Sequence, residues 1–219
     1  MGGKTLLSFI MLIAIFINPT AAAKEYQTVG QDVHNNFRSD HEVPPLELNE
    51  KLNEVAEKCA DYYANERGEI DYSCPHKTVE MGENLYSVHG RSDSDEEIAK
   101  LAVETWYEEL KEYSFSHPKN SDFNKTRRFT QLMWKGSKEM GFGVAFRNER
   151  IEYIVAVALY TPPGNIQDEH DWHAYKQNVV KPFLNTYGAG LVKEESGASR
   201  VGQGTLLTLS VAVVGTLFF

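Results

Sequence analysis

Two adjacent arginines, Arg127 and Arg128, begin a segment whose apolar residues have helical spacing. Phe129, Leu132 and Met133 lie at i, i+3 and i+4 and form one face of a helical turn, which is expected to be buried. A guanidinium stays charged, and a charge is costly to bury unless it is paired. The pattern predicts either a buried ion pair for Arg128 or a solvated side chain beside Arg127.

Histidines supply a second set of candidates for chemistry. His170 and His173 are spaced i, i+3 among acids and could ligate a metal, although such a run is more typical of a polar helix start. His76 belongs to an irregular stretch where a solvated histidine is the simpler interpretation. The chain contains no G-x-S-x-G, no C-x-x-C and no phosphate-binding glycine loop.

The chain has two cysteines, Cys59 and Cys74. In an oxidising compartment they are expected to form one disulfide. The alternative is that Cys59, which lies on an apolar helix face, is a buried thiol.

Both ends of the chain resemble targeting signals. Residues 1–23 combine a lysine near the start, an apolar run and an alanine exit, which predicts a secretory signal peptide. At the other end, Ser196 precedes a polar spacer within the stalk 188–204, and an uncharged tail at 205–219 ends the chain. This order predicts GPI attachment at Ser196, with a C-terminal tail anchor or a soluble secreted form as the alternatives.

The segment 24–187 has the size of one domain. The net charge of −9 argues against a nucleic-acid-binding surface, which needs clustered Lys and Arg. Asn124 begins an N-K-T sequon, which predicts a glycosylated position in an exposed loop of a secreted chain.

Periodicity predicts four helices in this domain. They cover Gln27–Asp40 with Val29, Val33 and Phe37 buried, Asn49 to Gly68, a stretch capped by Ser94, and residues 127–134. The third is expected to bury Ile98, Leu101, Ala102, Thr105 and Leu110.

The strand pattern is confined to the second half of the domain. Residues 141–146 and 151–160 predict a β-hairpin whose second strand is apolar on both faces and therefore central. Glu69–Gly90 shows no steady period and is predicted to be irregular. Helices on both sides of a small, mostly antiparallel sheet follow, an α+β fold with three layers in the order α-β-α.

Five motifs, in order, resemble those of the CAP superfamily of cysteine-rich secretory, antigen 5 and pathogenesis-related proteins. The first is H-N-x-x-R at His34 and Arg38, and the second is the Val-Pro-Pro-Leu link at 43–46. The others are G-E-N with Asn84, F-T-Q-L-M-W with Gln131 and Trp134, and the closing Tyr-Thr-Pro-Pro-Gly-Asn at 160–165. The low cysteine content is most similar to the Golgi-associated plant pathogenesis-related branch. The resemblance implies the same three-layer sandwich.

The resemblance also implies a cavity with two glutamates and two histidines that can bind zinc. The glutamates correspond to Glu83 and Glu109, whereas the histidine positions fall on Tyr72 and Arg128. We therefore expect Arg128 to replace the metal and to pair with both carboxylates. The implied protein needs no cofactor and binds a lipid, sterol or protein ligand at the outer face of the plasma membrane. The alternative is a metal-assisted hydrolase that uses Glu83 or Glu109 as general base.

Overall fold

The computed structural model describes residues 22–90, 93–147, 153–166 and 172–183. The strands are β1 (Glu47–Leu48), β2 (Gly82–His89), β3 (Glu139–Arg147) and β4 (Tyr153–Thr161). The α-helices are α1 (Glu25–Asp40), α2 (Glu50–Asp61), α3 (Asp95–Glu108), α4 (Phe123–Leu132) and α5 (His173–Asn178). A π-helical turn, Tyr62–Arg67, extends α2, and a 3-10 turn, Glu109–Glu112, extends α3.

The four strands form one sheet in the order β1-β3-β4-β2. Only the pair β1 and β3 is parallel, and the pairs β3–β4 and β4–β2 are antiparallel. Because β4 lies between two strands and is covered on both faces, its side chains from Tyr153 to Tyr160 are buried. The central hairpin strand predicted from the sequence is therefore confirmed.

Helices cover the sheet on both faces, which confirms the α+β fold with three α-β-α layers. On one face, α2 packs on alternate residues of β4, among them Val155, Val157 and Leu159. On the other face, α1, α3 and α4 enclose a core that includes Trp106 and Phe129. Because successive side chains of β4 point to opposite faces of the sheet, its apolar residues contribute alternately to two cores.

Two glycines let α2 lie directly against the backbone of β3. A Cβ atom at Gly141 would be 2.1 Å from the carbonyl carbon of Leu52, and one at Gly143 would be 2.3 Å from that of Ala56. No side chain fits between the two backbones at these positions, so the glycines allow α2 to pack closely against β3.

Three sequence predictions about the elements are wrong. The segment Glu69–Gly90 is not irregular throughout, because Gly82–His89 forms the edge strand β2. Helix α1 fully buries Gly30, His34 and Arg38, while its predicted apolar stripe at Val29, Val33 and Phe37 is only partly buried. In α3, Ile98 and Ala102 are buried as expected, but Thr105 is exposed and Trp106 takes the inward position.

Asn124 is exposed, as expected, but it lies in the first turn of α4 rather than in a loop. The signal peptide up to residue 21, the stalk, Ser196 and the tail fall outside the described residues, as do the hairpin turn and His170.

Candidate ligand-binding site

Glu109 lies where α3 passes into its 3-10 turn, and its carboxylate points at α4. Its Oε1 accepts hydrogen bonds from Nε of Arg128 at 2.5 Å and pairs with Nη2 at 2.5 Å. Its Oε2 accepts from the backbone amides of Arg128 at 2.9 Å and Phe129 at 3.1 Å. Burial raises the pKa of Glu109, and the charge of Arg128 opposes that rise. The carboxylate therefore has both a cation and backbone donors from one helix.

Glu83 lies at the start of β2, with a side chain that is only 2% exposed. Its Oε2 is 3.2 Å from Nζ of Lys77, and its Oε1 accepts a hydrogen bond from the Tyr63 hydroxyl at 3.3 Å. Burial raises the pKa of Glu83, and the nearby Lys77 partly counters this effect. Arg128 therefore pairs with Glu109 alone, and the expectation that it also pairs with Glu83 is wrong.

The alternation of side chains along β2 explains this division. Leu85, two residues beyond Glu83, belongs to the core beneath α2, as does Tyr63. Asn84 points the other way and donates to the backbone carbonyl of Arg128 in α4 at 2.8 Å. Successive strand residues face opposite layers, so Glu83 takes its partners from the α2 side.

Tyr72 lies beside the two arginines of α4. Its backbone has a φ of 64°, and the guanidinium carbon of Arg127 is 3.9 Å from the centre of its ring. Burial raises the pKa of the hydroxyl against the opposing charges of Arg127 and Arg128, so the phenol is protonated at neutral pH. The structure thus brings Tyr72, Glu83 and the Arg128–Glu109 pair into one region.

A disulfide between Cys59 and Cys74 fixes the loop that carries Tyr72 and Lys77, and it decides between the two alternatives left by the sequence. The backbone amide of Cys74 also donates to the Tyr63 hydroxyl at 2.9 Å. His76, in the same loop, is exposed. The disulfide therefore ties the residues next to Glu83 to the end of α2.

The buried motif residues hold α4 in place from behind. His34 bonds to the Tyr160 hydroxyl through Nε2 at 2.8 Å and to the Gly30 carbonyl through Nδ1 at 2.6 Å. Asn84 donates to the same hydroxyl at 3.1 Å and so connects this chain of bonds to Arg128. Burial lowers the pKa of His34 to about 3, which keeps the imidazole neutral and gives it a structural role.

Arg38 fixes the C-terminal end of α4. Its Nη1 donates to the carbonyls of Leu132 at 2.8 Å and Trp134 at 3.1 Å, and burial lowers its pKa to about 10. Gln131 accepts from the backbone amide of Gly164 at 2.9 Å. The two Arg38 bonds satisfy backbone carbonyls at and just beyond the end of α4, and the Gln131 side chain links the helix to the segment after β4.

Tyr63, Lys77 and Arg127 are contributors that the sequence did not identify. Tyr63 belonged to an apolar helical stripe, Lys77 lay in a segment without periodicity, and Arg127 was assigned to solvent. Only the G-E-N motif indicated that such residues exist, because its glutamate, if buried, requires a nearby cation. Nothing in the sequence pattern indicated Lys77 as that cation.

The donors in this region do not fit a zinc ion. Zinc takes deprotonated thiolate, carboxylate or neutral imidazole ligands, whereas Arg128 offers no lone pair and Tyr72 keeps its proton. Both carboxylates already pair with protein cations. Over the described ranges, no three His, Cys, Asp or Glu side chains are placed to hold a metal.

The fold is that of a CAP domain. The sequence model of the CAP family, the cysteine-rich secretory protein family, matches residues 31–160, more than half of the chain. The chain belongs to this family. It is 31% identical over 162 residues to human Golgi-associated plant pathogenesis-related protein 1. The aligned region covers 74% of this chain and 97% of that protein.

Two further similarities agree with this assignment. The chain is 30% identical over 174 residues to the secreted protein RBT4 of Candida albicans, across 75% of this chain and 44% of that protein. The solved structure of NaASP2 with Zn²⁺ superposes with a TM-score of 0.52 at 15% identity, over 75% of this chain and 90% of the other. At that identity the likeness concerns the fold alone.

Lys77→Met is expected to lower the free energy of unfolding by about 2 kcal/mol at pH 7, because it leaves the Glu83 carboxylate buried without a cation. The pKa of Glu83 is already above its ordinary value of 4.5 and would rise further. A raised carboxyl pKa means that protonation favours the folded state, so stability falls as pH rises through the folded pKa. The loss should therefore be small at pH 4, where Glu83 is protonated in both proteins. Chemical denaturation at the two pH values measures this difference.

The matched control is Lys100→Met, because Lys100 and Glu104 are 3.8 Å apart with side chains 60% and 43% exposed. This change should cost less than about 0.5 kcal/mol at either pH. Equal losses in the two variants, or a Lys77→Met loss that does not depend on pH, would contradict the role of Lys77.

Proposed function

We propose that this CAP-domain protein acts at the cell surface by binding a ligand, without catalysis. Members of the CAP family generally act as non-catalytic binding proteins, and relatives include secreted proteins. The observation that carries the proposal is that each glutamate of the site already holds a protein cation, Lys77 for Glu83 and Arg128 for Glu109. The two carboxylates then stabilise the domain and leave ligand binding to the surrounding surface.

In this proposal Tyr72 and Arg128 stand at the positions where the CAP pattern has histidines. Supporting this, Arg128 contacts Glu109 directly and Tyr72 lies close to the charge of Arg128. The positive φ of Tyr72 is uncommon for a bulky residue and more usual for histidine, asparagine or aspartate. A histidine could therefore adopt the same backbone conformation at this position, which supports the proposed replacement.

A metal-assisted hydrolase is less well supported by this geometry. A general base must be able to take a proton from a bound water. Glu109 accepts four donors from Arg128 and Phe129, and Glu83 is enclosed by Lys77 and Tyr63. Oε2 of Glu83 accepts no hydrogen bond of ordinary geometry from a described residue, but the Lys77 charge 3.2 Å away opposes binding of a metal cation there.

The ligand class in the proposal is a lipid, a sterol or a protein. Extraction of labelled sterol by the purified domain separates a sterol ligand from a protein ligand. The proposal requires no cofactor for either.

Zinc titration by calorimetry tests the replacement of the metal site. The wild-type protein is expected to release no binding heat, because Arg128 and Lys77 occupy the carboxylates. The variant Tyr72→His/Arg128→His should bind zinc, since two neutral imidazoles would join the Glu109 carboxylate that Arg128 no longer occupies. The variant Tyr72→Phe/Arg128→Gln removes the same groups without adding ligands and should bind none. Stoichiometric zinc binding by the wild-type protein would overturn the proposal.

The proposal places the protein outside the cell, with residues 1–23 as a signal peptide and a GPI anchor on Ser196. The charge pattern of both ends supports it, and Asn124 is exposed in α4 where a glycan can be attached. Across the described ranges, no helix is long and apolar enough to cross a membrane.

Phosphatidylinositol-specific phospholipase should release the full-length protein from the surface of intact cells. A chain with Ser196, Gly197 and Ala198 all replaced by bulky residues should resist release, because GPI attachment needs small residues at that site. Full retention of the unmodified protein after phospholipase treatment would favour a tail anchor instead.

A further inference from the structure

Arg127 differs from its neighbour because its guanidinium makes no direct ion pair with a described residue. Burial raises the pKa of Glu83, and the charge of Arg127 opposes that rise from a distance. The guanidinium carbon of Arg127 lies 3.9 Å from the centre of the Tyr72 ring. Its Nε is buried without a hydrogen-bond partner among the described residues, and the residue as a whole is partly exposed.

Other polar atoms around Arg127 also lack partners. The Tyr72 hydroxyl is buried without a hydrogen bond of ordinary geometry to a described residue, although it lies close to the Arg128 side chain. Asn84, 1% exposed, uses Nδ2 for two hydrogen bonds while its Oδ1 remains unpaired. Tyr72 stacks on Arg127. Buried polar groups normally have partners, so the Arg127 Nε and the Tyr72 hydroxyl, which are both donors, indicate a place for a ligand that accepts hydrogen bonds. The Asn84 Oδ1 is itself an acceptor and takes no part in binding an oxyanion.

The local charge favours an anion. Lys77, Arg127 and Arg128 contribute three positive charges, and Glu83 and Glu109 contribute two negative charges. Lys77 and Arg128 are each paired with a carboxylate, and Arg127 adds a third positive charge that also acts on Glu83. This excess stands out in a chain whose net charge is −9. An anion at Arg127 would restore local neutrality and accept hydrogen bonds from its N–H groups.

We propose that Arg127 and Tyr72 form a binding site for an oxyanion, a phosphate group carried either by a soluble molecule or by a lipid. The planar guanidinium presents paired N–H donors that match the oxygens of a phosphate. The aromatic ring beneath it restrains the guanidinium before the ligand binds. This restraint lowers the side-chain entropy that is lost on binding. The Tyr72 hydroxyl supplies a further donor. This inference rests on the proposed binding role, and it specifies a phosphate as the charged group of the ligand.

The test is an NMR titration of the folded domain with inorganic phosphate, observed at the arginine Nε–H resonances. The Arg127 resonance is expected to shift saturably, while that of Arg128, held by Glu109, stays unchanged. Arg127→Gln should weaken phosphate binding by about ten-fold or more, and Tyr72→Phe, which removes only the hydroxyl, by about three- to ten-fold. Lys125→Gln, with the same change of charge at an exposed position of α4, should leave the affinity unchanged.

A second arm distinguishes the sources of the phosphate group. Phosphatidylcholine vesicles with and without phosphatidic acid are sedimented with wild-type protein and with Arg127→Gln. Binding to the acidic vesicles alone, lost in Arg127→Gln, assigns the site to a lipid headgroup. A response to inorganic phosphate without vesicle binding assigns it to a soluble phosphate.

The proposal is overturned if neither probe binds, or if Lys125→Gln reduces binding as much as Arg127→Gln does. That failure is distinguishable from failure of the proposed function, because sterol extraction tests the ligand class and zinc titration tests the replacement of the metal site. A protein that binds neither zinc nor phosphate would lose the oxyanion site and keep its proposed non-catalytic role.

Discussion

A buried carboxylate that needs a cation is the constraint on which this domain depends. Glu109 joins the end of α3 to the middle of α4 through the Arg128 guanidinium and two backbone amides. Neither partner can be lost alone, because the other would remain as a charge in a poorly solvated site. Glu83 imposes the same requirement on the other side of β2, where Lys77 meets it from a loop fixed by a disulfide.

The helix α4 separates the roles of its two arginines. Adjacent residues on a helix point in different directions, so Arg127 and Arg128 make different main contacts, although both charges act on the Tyr72 hydroxyl. Arg128 turns toward Glu109, and Arg127 lies over the ring of Tyr72. This separation requires a fixed orientation of α4, which Arg38 provides at its C-terminal end and Asn84 provides at the carbonyl of Arg128.

The sequence predicted the parts of the fold that rest on local periodicity. The continuous apolar run of β4 indicated a central strand, and Ser94 and Glu97 form the capping box expected at the start of α3. The edge strand β2 was missed because one of its faces carries Glu83 at the site and its outer end is solvated, which removes the alternation that marks a strand.

The candidate site could be predicted only in part. The motif resemblance identified Glu83, Glu109, Tyr72 and Arg128, and the structure brings them into one region. The partner of Glu83 could not be predicted, because a cation that arrives from an aperiodic loop leaves no pattern in the sequence. The polar inner face of α1 escaped prediction for a related reason. His34 and Arg38 are buried because distant carbonyls and a hydroxyl accept their hydrogen bonds, and those partners are fixed only by the tertiary fold.

The most direct test of this account is a double-mutant cycle on Arg128 and Glu109, with Arg128→Ala, Glu109→Gln and the double variant compared by denaturant unfolding at pH 7. The account predicts a coupling free energy of about 2 kcal/mol, with Arg128→Ala alone more destabilising than the double variant. A coupling below about 0.3 kcal/mol would mean that the two side chains act independently. Arg128 would then be a solvated arginine, and the claim that a protein cation replaces the metal in this domain would be contradicted.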